Sequence, residues 1–176
     1  MDTAVTPAAH TLDTTPDRAS PPPGDPVLRF LTWARDDARF AFQPIIDPYT
    51  GTLYGVEALL RGHEDLDFVS IHAFFDFCFR MGILQQIEVL LRGRAMKLFA
   101  QMGLPPSARL FLNIDNRVLQ AEDHRTTDTV EAAHAAGLQP SRISLEISER
   151  HQIDRDTTNT ETLAQIYRRE LIRVAI

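Results

Sequence analysis

Apolar positions along the chain follow two periods in turn, close to 3.6 in some stretches and 2 in others. Helices and strands are therefore expected to alternate. Val27, Phe30, Leu31 and Ala34 share one face of a helix running from Val27 to about Ala38, with Asp25 as its N-cap and Trp33 at the domain edge. Phe40 to Asp47 reads as a strand, in which Pro44 requires a bulge or a position where no ladder donor is needed. Asp47-Pro48-Tyr49-Thr50-Gly51 has turn chemistry, and a second strand, Leu53 to Leu60, follows directly. The two are expected to form an antiparallel hairpin. His63-Glu64-Asp65-Leu66-Asp67 reads as a polar, acidic loop. Ser70 then caps a helix with Ile71, Phe74, Phe75, Cys78 and Phe79 at helical spacing, and Gly82 ends it. Leu84, Ile87, Leu91, Ala95, Leu98 and Met102 outline a longer helix, stopped by Gly103 and Pro105-Pro106. Both stripes are expected to be core.

After that helix, strands and helices continue to alternate. Arg109 to Ile114 is an apolar strand, Thr129 to Ala136 a helix ended by Gly137, and Ile143 to Glu149 another strand. Thr160 to Leu171 is a helix with Leu163, Ile166 and Tyr167 facing inward, and a β-branched run begins at Ile172. Alternation of this kind implies parallel βα units on one sheet or barrel. Residues 1 to about 26 lack apolar periodicity and contain Pro21-Pro22-Pro23, which reads as a disordered tail.

Three of these apolar strands each contain a polar residue that a buried strand does not need. Glu57 lies inside Val56–Leu60, Asn113 near the end of the Arg109 strand, and Glu146 near the end of the Ile143 strand. Side chains alternate in facing, so Glu146 lies with Ser144, Asn113 with Phe111, and Glu57 with Gly55 and Leu59. A lone buried carboxylate is costly unless a cation or donors meet it. Three oxygen-bearing side chains in corresponding places point to a site. Arg61, where the second strand ends, suits bidentate contact with phosphate, although a Glu57–Arg61 ion pair accounts for the same residues.

Composition narrows the partners. The 176 residues are enough for one domain with a core, 44% are hydrophobic and 24% charged, and the formal net charge of -6 disfavours DNA. Cys78 is the single cysteine, which excludes an internal disulfide and fits a reducing compartment; it reads as a small buried hydrophobe. There is no membrane-spanning run and no signal-peptide pattern, so a cytoplasmic location is expected.

Phe42-Gln43-Pro44-Ile45-Ile46-Asp47 with its turn into Leu53-Tyr54-Gly55, then Glu57-Ala58-Leu59-Leu60-Arg61, Leu110-Phe111-Leu112-Asn113 and Leu145-Glu146-Ile147-Ser148-Glu149, resemble the EAL domain family in order and spacing. That family comprises bacterial phosphodiesterases of cyclic di-GMP. The resemblance implies an α/β fold: a TIM-type (β/α) barrel of the EAL type with its first strand antiparallel, here incomplete and truncated at the fifth strand. Residues 27–176 would be the N-terminal part of the domain. It also implies that Glu57, Asn113 and Glu146 are ligands to Mg²⁺ or Mn²⁺, with Glu57 counted as catalytic. Gln43, Leu60 and Arg61 would contact the nucleotide, and Glu149 would brace the catalytic loop.

The family's Asp-Asp-Phe-Gly loop would follow Ile176, and its later lysine, glutamate and glutamine are also missing. Lys97, the single lysine, lies on an expected outer helix and cannot stand in. The expectation for this chain is therefore a parent domain that hydrolyses cyclic di-GMP to linear pGpG. The chain itself is expected to be catalytically silent, with a homodimer or partner domain covering the open edge. The alternative is a non-catalytic EAL module that binds cyclic di-GMP or a protein. A glycosidase using Glu57 and Glu146 as its carboxylate pair is disfavoured by Arg61 and by the lack of an aromatic platform nearby.

Overall fold

The structure, a computed structural model, describes residues 25–120, 125, 127–148, 167 and 172–175. Most of the expected N-terminal tail and Glu149 lie outside these residues. Of the helix expected from Thr160 to Leu171, only Tyr167 is described, and it is helical and buried. The first helix, α1, is Pro26–Thr32, with Asp25 as its N-cap as expected. The Asp25 side chain accepts the Val27 N–H at 2.9 Å. The helix does not run regularly to Ala38. Trp33–Asp37 widens into a π-helical turn closed by Ala38 N–H onto the Trp33 carbonyl at 2.8 Å. The wider turn lets Trp33 and Ala34 both face inward, so Trp33 is core rather than edge. Its ring meets Phe74 edge-on at 5.4 Å between centroids.

Strands β1 (Arg39–Ile46) and β2 (Leu53–Arg61) form the expected antiparallel hairpin, with Gln43 opposite Glu57. Pro44 keeps regular register opposite Val56, and the slip comes between Ile45 and Ile46, where β2 carries the extra residue, Tyr54. The acidic segment is more ordered than a loop. His63–Leu66 makes a 3₁₀ turn that buries Leu66, and Asp65 accepts from Arg39 at 2.8 Å. Ser70 Oγ accepts the Ala73 N–H at 3.1 Å and starts α2 (Ile71–Arg80), followed by α3 (Leu84–Gln101).

Three residues of the expected core stripes are not core: Leu98 is only half-buried and outside the core cluster, and Phe79 and Met102 are exposed. Phe79 is 50% exposed: it sits on the shoulder of the α2 stripe and is covered by the Arg117 guanidinium, 4.7 Å from its ring centroid. Met102 is 41% exposed because it caps the end of α3, past the sheet. Strand β3 (Arg109–Asp115), α4 (Thr127–Ala135), β4 (Ile143–Ser148) and β5 (Arg173–Ala175) follow, with 3₁₀ turns at Asn116–Gln120 and Pro140–Arg142.

The strands form one five-stranded sheet in the order β1-β2-β3-β4-β5, parallel from β2 onward. Arg173 at the start of β5 donates to the Tyr54 hydroxyl on β2 at 3.3 Å, so the sheet curls toward itself. Strand alternation then divides the side chains. Val56, Ala58, Leu60, Leu110, Leu112, Ile114, Ile143 and Leu145 are buried in a layer with α2 and α3, while Glu57, Phe111, Asn113 and Glu146 occupy the other face. Among the described residues no helix is long and apolar enough to cross a membrane.

Candidate functional site

The polar face gathers near the C-terminal ends of the parallel strands. Asn113 Nδ2 donates to Glu57 Oε1 at 2.8 Å, across from β3 to β2. Asn113 is also the register partner of Glu146 on β4. The register pairs Glu57 with Phe111, so the amide of Asn113 reaches back along the strand to meet the carboxylate. Burial first, and then the nearby Glu57 charge, push the Glu146 carboxyl above its ordinary value. Two carboxylates are thus held near one another with an amide between them.

The donor set suits a hard divalent cation. All three residues offer oxygen, and a cation would relieve the Glu57–Glu146 repulsion. Among the described residues no cluster of three or more His, Cys, Asp or Glu forms, so such a site depends on the amide oxygen of Asn113. The Nδ2–Glu57 hydrogen bond fixes which side of the amide faces which partner.

Other residues singled out in the sequence fall around this group. Gln43 is exposed directly opposite Glu57, and directly opposed residues of an antiparallel pair share a face. Arg61 is on the same face as Glu57 but makes no ion pair with it. Four strand residues span about 13 Å, and the guanidinium donates instead to the Leu60 carbonyl at 2.9 Å. Leu60 itself is buried on the opposite face from Arg61.

Pairing of β2 with β3 ends at Ala58 opposite Leu112. Strand β2 continues against β1 to Arg61, and β3 continues against β4 to Asp115. In this split lies a cavity of ≈ 330 Å³, walled by Leu59, Leu60, Arg61 and Asn113 and floored by Glu88 and Leu91 of α3.

The sequence reading missed the supports of the site. Arg117 donates to the Asp115 carboxylate at 2.9 and 2.6 Å and to Asp76 of α2 at 3.0 Å. Those two carboxylates, with the Asp115 hydrogen bonds foremost, raise the Arg117 pKa above its usual value. Glu88 and Arg92 form a buried ion pair at 3.0 Å within α3. Their i,i+4 spacing beside the apolar stripe was the available signal.

Fold and site define an α/β domain that offers carboxylate and amide oxygens beside an arginine at the ends of parallel strands. The chain belongs to the EAL domain family, whose model matches residues 29–176. It is similar in structure to the PaMucR phosphodiesterase in complex with c-di-GMP (TM-score 0.69, 21% identity, 85% of this chain and 62% of that one). It is also similar to a c-di-GMP-bound standalone versatile EAL protein from Vibrio cholerae O395 (TM-score 0.58, 24% identity, 80% and 56% covered). A third likeness is to Klebsiella pneumoniae BlrP1 in a calcium/c-di-GMP complex (TM-score 0.60, 19% identity, 81% and 35% covered). The chain spans 62% or less of the length of these structures. No curated protein matches it.

Proposed function

We propose that this chain carries part of a metal-dependent cyclic di-GMP phosphodiesterase site, the parent reaction being hydrolysis to linear pGpG. The observation that carries the reading is the Asn113–Glu57 hydrogen bond of 2.8 Å, with Glu146 beside it in register. Family membership and the c-di-GMP complexes of the similar structures support it.

In this reading Glu57, Asn113 and Glu146 hold Mg²⁺ or Mn²⁺; BlrP1 has been solved with manganese as well as calcium. Bound there, the ion would supply Lewis-acid stabilisation of phosphate charge and an activated water. Glu146, already disfavoured as an anion, is the ligand whose charge the cation compensates most. Among the described residues the Arg61 guanidinium bonds only the Leu60 carbonyl, and Arg61 lines the cavity, where its remaining N–H groups would take a phosphate oxygen. Gln43 orients the nucleotide across from Glu57, and Leu60 contributes an apolar wall. Glu149 is assigned to bracing the loop after β4.

Calorimetry with Mn²⁺ tests the ligand set. Glu57→Ala should weaken binding by roughly 10- to 100-fold or abolish it. Unchanged affinity would remove Glu57 from the site.

A second reading, binding of cyclic di-GMP without turnover, is favoured by one observation: the similar Klebsiella pneumoniae BlrP1 has been solved with FMN and cyclic di-GMP and no metal ions. Incubation with cyclic di-GMP and Mn²⁺ distinguishes the two, since linear product appears only under the first.

A further inference from the structure

Glu88 is a costly residue where it stands. It is 3% exposed on a helix that packs through Ile87, Leu91 and Ala95, and burial pushes its carboxyl up to about 7. A buried ion pair is weak evidence for stability, since apolar replacements of similar volume are often neutral or better. Arg92 is committed to it sparingly: Nη1 bonds Glu88 Oε2 at 3.0 Å, while Nε and Nη2 are buried without a partner among the described residues. The pair therefore needs a reason other than packing.

The other oxygen of Glu88 supplies one. Oε1 accepts the backbone N–H of Asp115 at 3.1 Å. Asp115 ends β3 beyond the point where pairing with β2 stops, so on that side the sheet gives the strand no ladder acceptor. Asn113 is two residues upstream on the same face, just past the last residue paired with β2, and its amide has to sit over Glu57. Site geometry of this kind requires support to within about 0.5 Å. The side chain of Asp115 is tied separately, through Arg117, to Asp76 of α2.

We propose that Glu88 is a positioning residue, a carboxylate on the outer helix that replaces the missing ladder acceptor at the end of β3 and so holds Asn113 over Glu57. Arg92 balances its charge. The inference rests on the metal-site reading for its consequence but not for its geometry.

Two variants of the full chain that differ in one acceptor atom test it. Glu88→Gln with Arg92→Leu keeps a carbonyl oxygen for the Asp115 N–H; Glu88→Met with Arg92→Leu does not. Neither leaves an uncompensated buried charge, the usual reason for failure to fold. Amide hydrogen exchange at Asp115, the NMR signals of the Asn113 side-chain amide, and Mn²⁺ affinity are read for each. The Met variant should speed Asp115 exchange roughly tenfold, the weight of one hydrogen bond to a charged acceptor, and should shift the Asn113 amide signals. Its Mn²⁺ affinity should fall about tenfold or more, while the Gln variant stays near the natural chain. Identical behaviour of the two variants in exchange and amide signals overturns the proposal. Shifted Asn113 signals in a protein without Glu57-dependent Mn²⁺ binding would uphold the positioning role and reject the metal reading instead.

Discussion

On one face of β2, β3 and β4 the residues Val56, Ala58, Leu110, Leu112 and Leu145 are all buried against helices. On the other face, one residue away at each step, stand Glu57, Asn113 and Glu146, half-buried or exposed, with Asn113 bonded to Glu57 and in register with Glu146. The same strands thus supply the fold's stability through one set of side chains and its chemistry through the next. A substitution should therefore be felt as lost stability or lost binding according to the parity of its position.

The largest effect expected from this contrast is at Leu110, which is fully buried. Leu110→Ala should cost about 2–5 kcal/mol in urea unfolding, the range for deletion of a packed leucine. A cost under about 0.5 kcal/mol would mean that the helix-covered face does not carry the stability.

Gly55 is where parity alone should fail. It lies on the Glu57 face, yet a Cβ there would sit 2.6 Å from the Arg109 carbonyl oxygen and 2.8 Å from the Phe111 ring. The first of these atoms is backbone and cannot swing aside. Gly55→Ala should cost about 1–3 kcal/mol, an overpacking penalty on the otherwise tolerant face. Thermal unfolding that matched the natural chain would show that β2 can move away from β3 at no cost.

Arg61 should show the smallest change in stability. It is exposed, and its one hydrogen bond among the described residues goes to its own neighbour's carbonyl. Arg61→Ala should leave the midpoint of thermal unfolding nearly unchanged, within about 0.5 kcal/mol. Cyclic di-GMP affinity, followed by calorimetry, should fall. A large stability loss with intact nucleotide binding would restore arginine to a structural role.

Much of this was legible beforehand because local rules decided it. The caps at Asp25 and Ser70 and the hairpin through Asp47–Gly51 each follow from the chemistry of one or two residues. Cys78 is buried as its apolar neighbours implied, and burial pushes its thiol up to about 12. The common facing of Glu57, Asn113 and Glu146 followed from a period of two. Phe79 and Met102 defeated the same reasoning, because periodicity marks which way a side chain points and not what is there to cover it.

The sequence by itself determined the order of elements, the sidedness of each strand and the three oxygen donors, since alternation and capping act over a few residues. Only the tertiary structure decided how those strands stagger. Register put Asn113 beside Glu146 yet within 2.8 Å of Glu57, and it ended β2–β3 pairing at Leu112. The roles of Glu88, Arg92, Asp76 and Arg117 follow from that ending. A helix carboxylate becomes an acceptor for a strand N–H only when packing brings α3 beneath the split, across 27 residues of chain. Such contacts depend on the relative placement of whole elements, which no local pattern specifies.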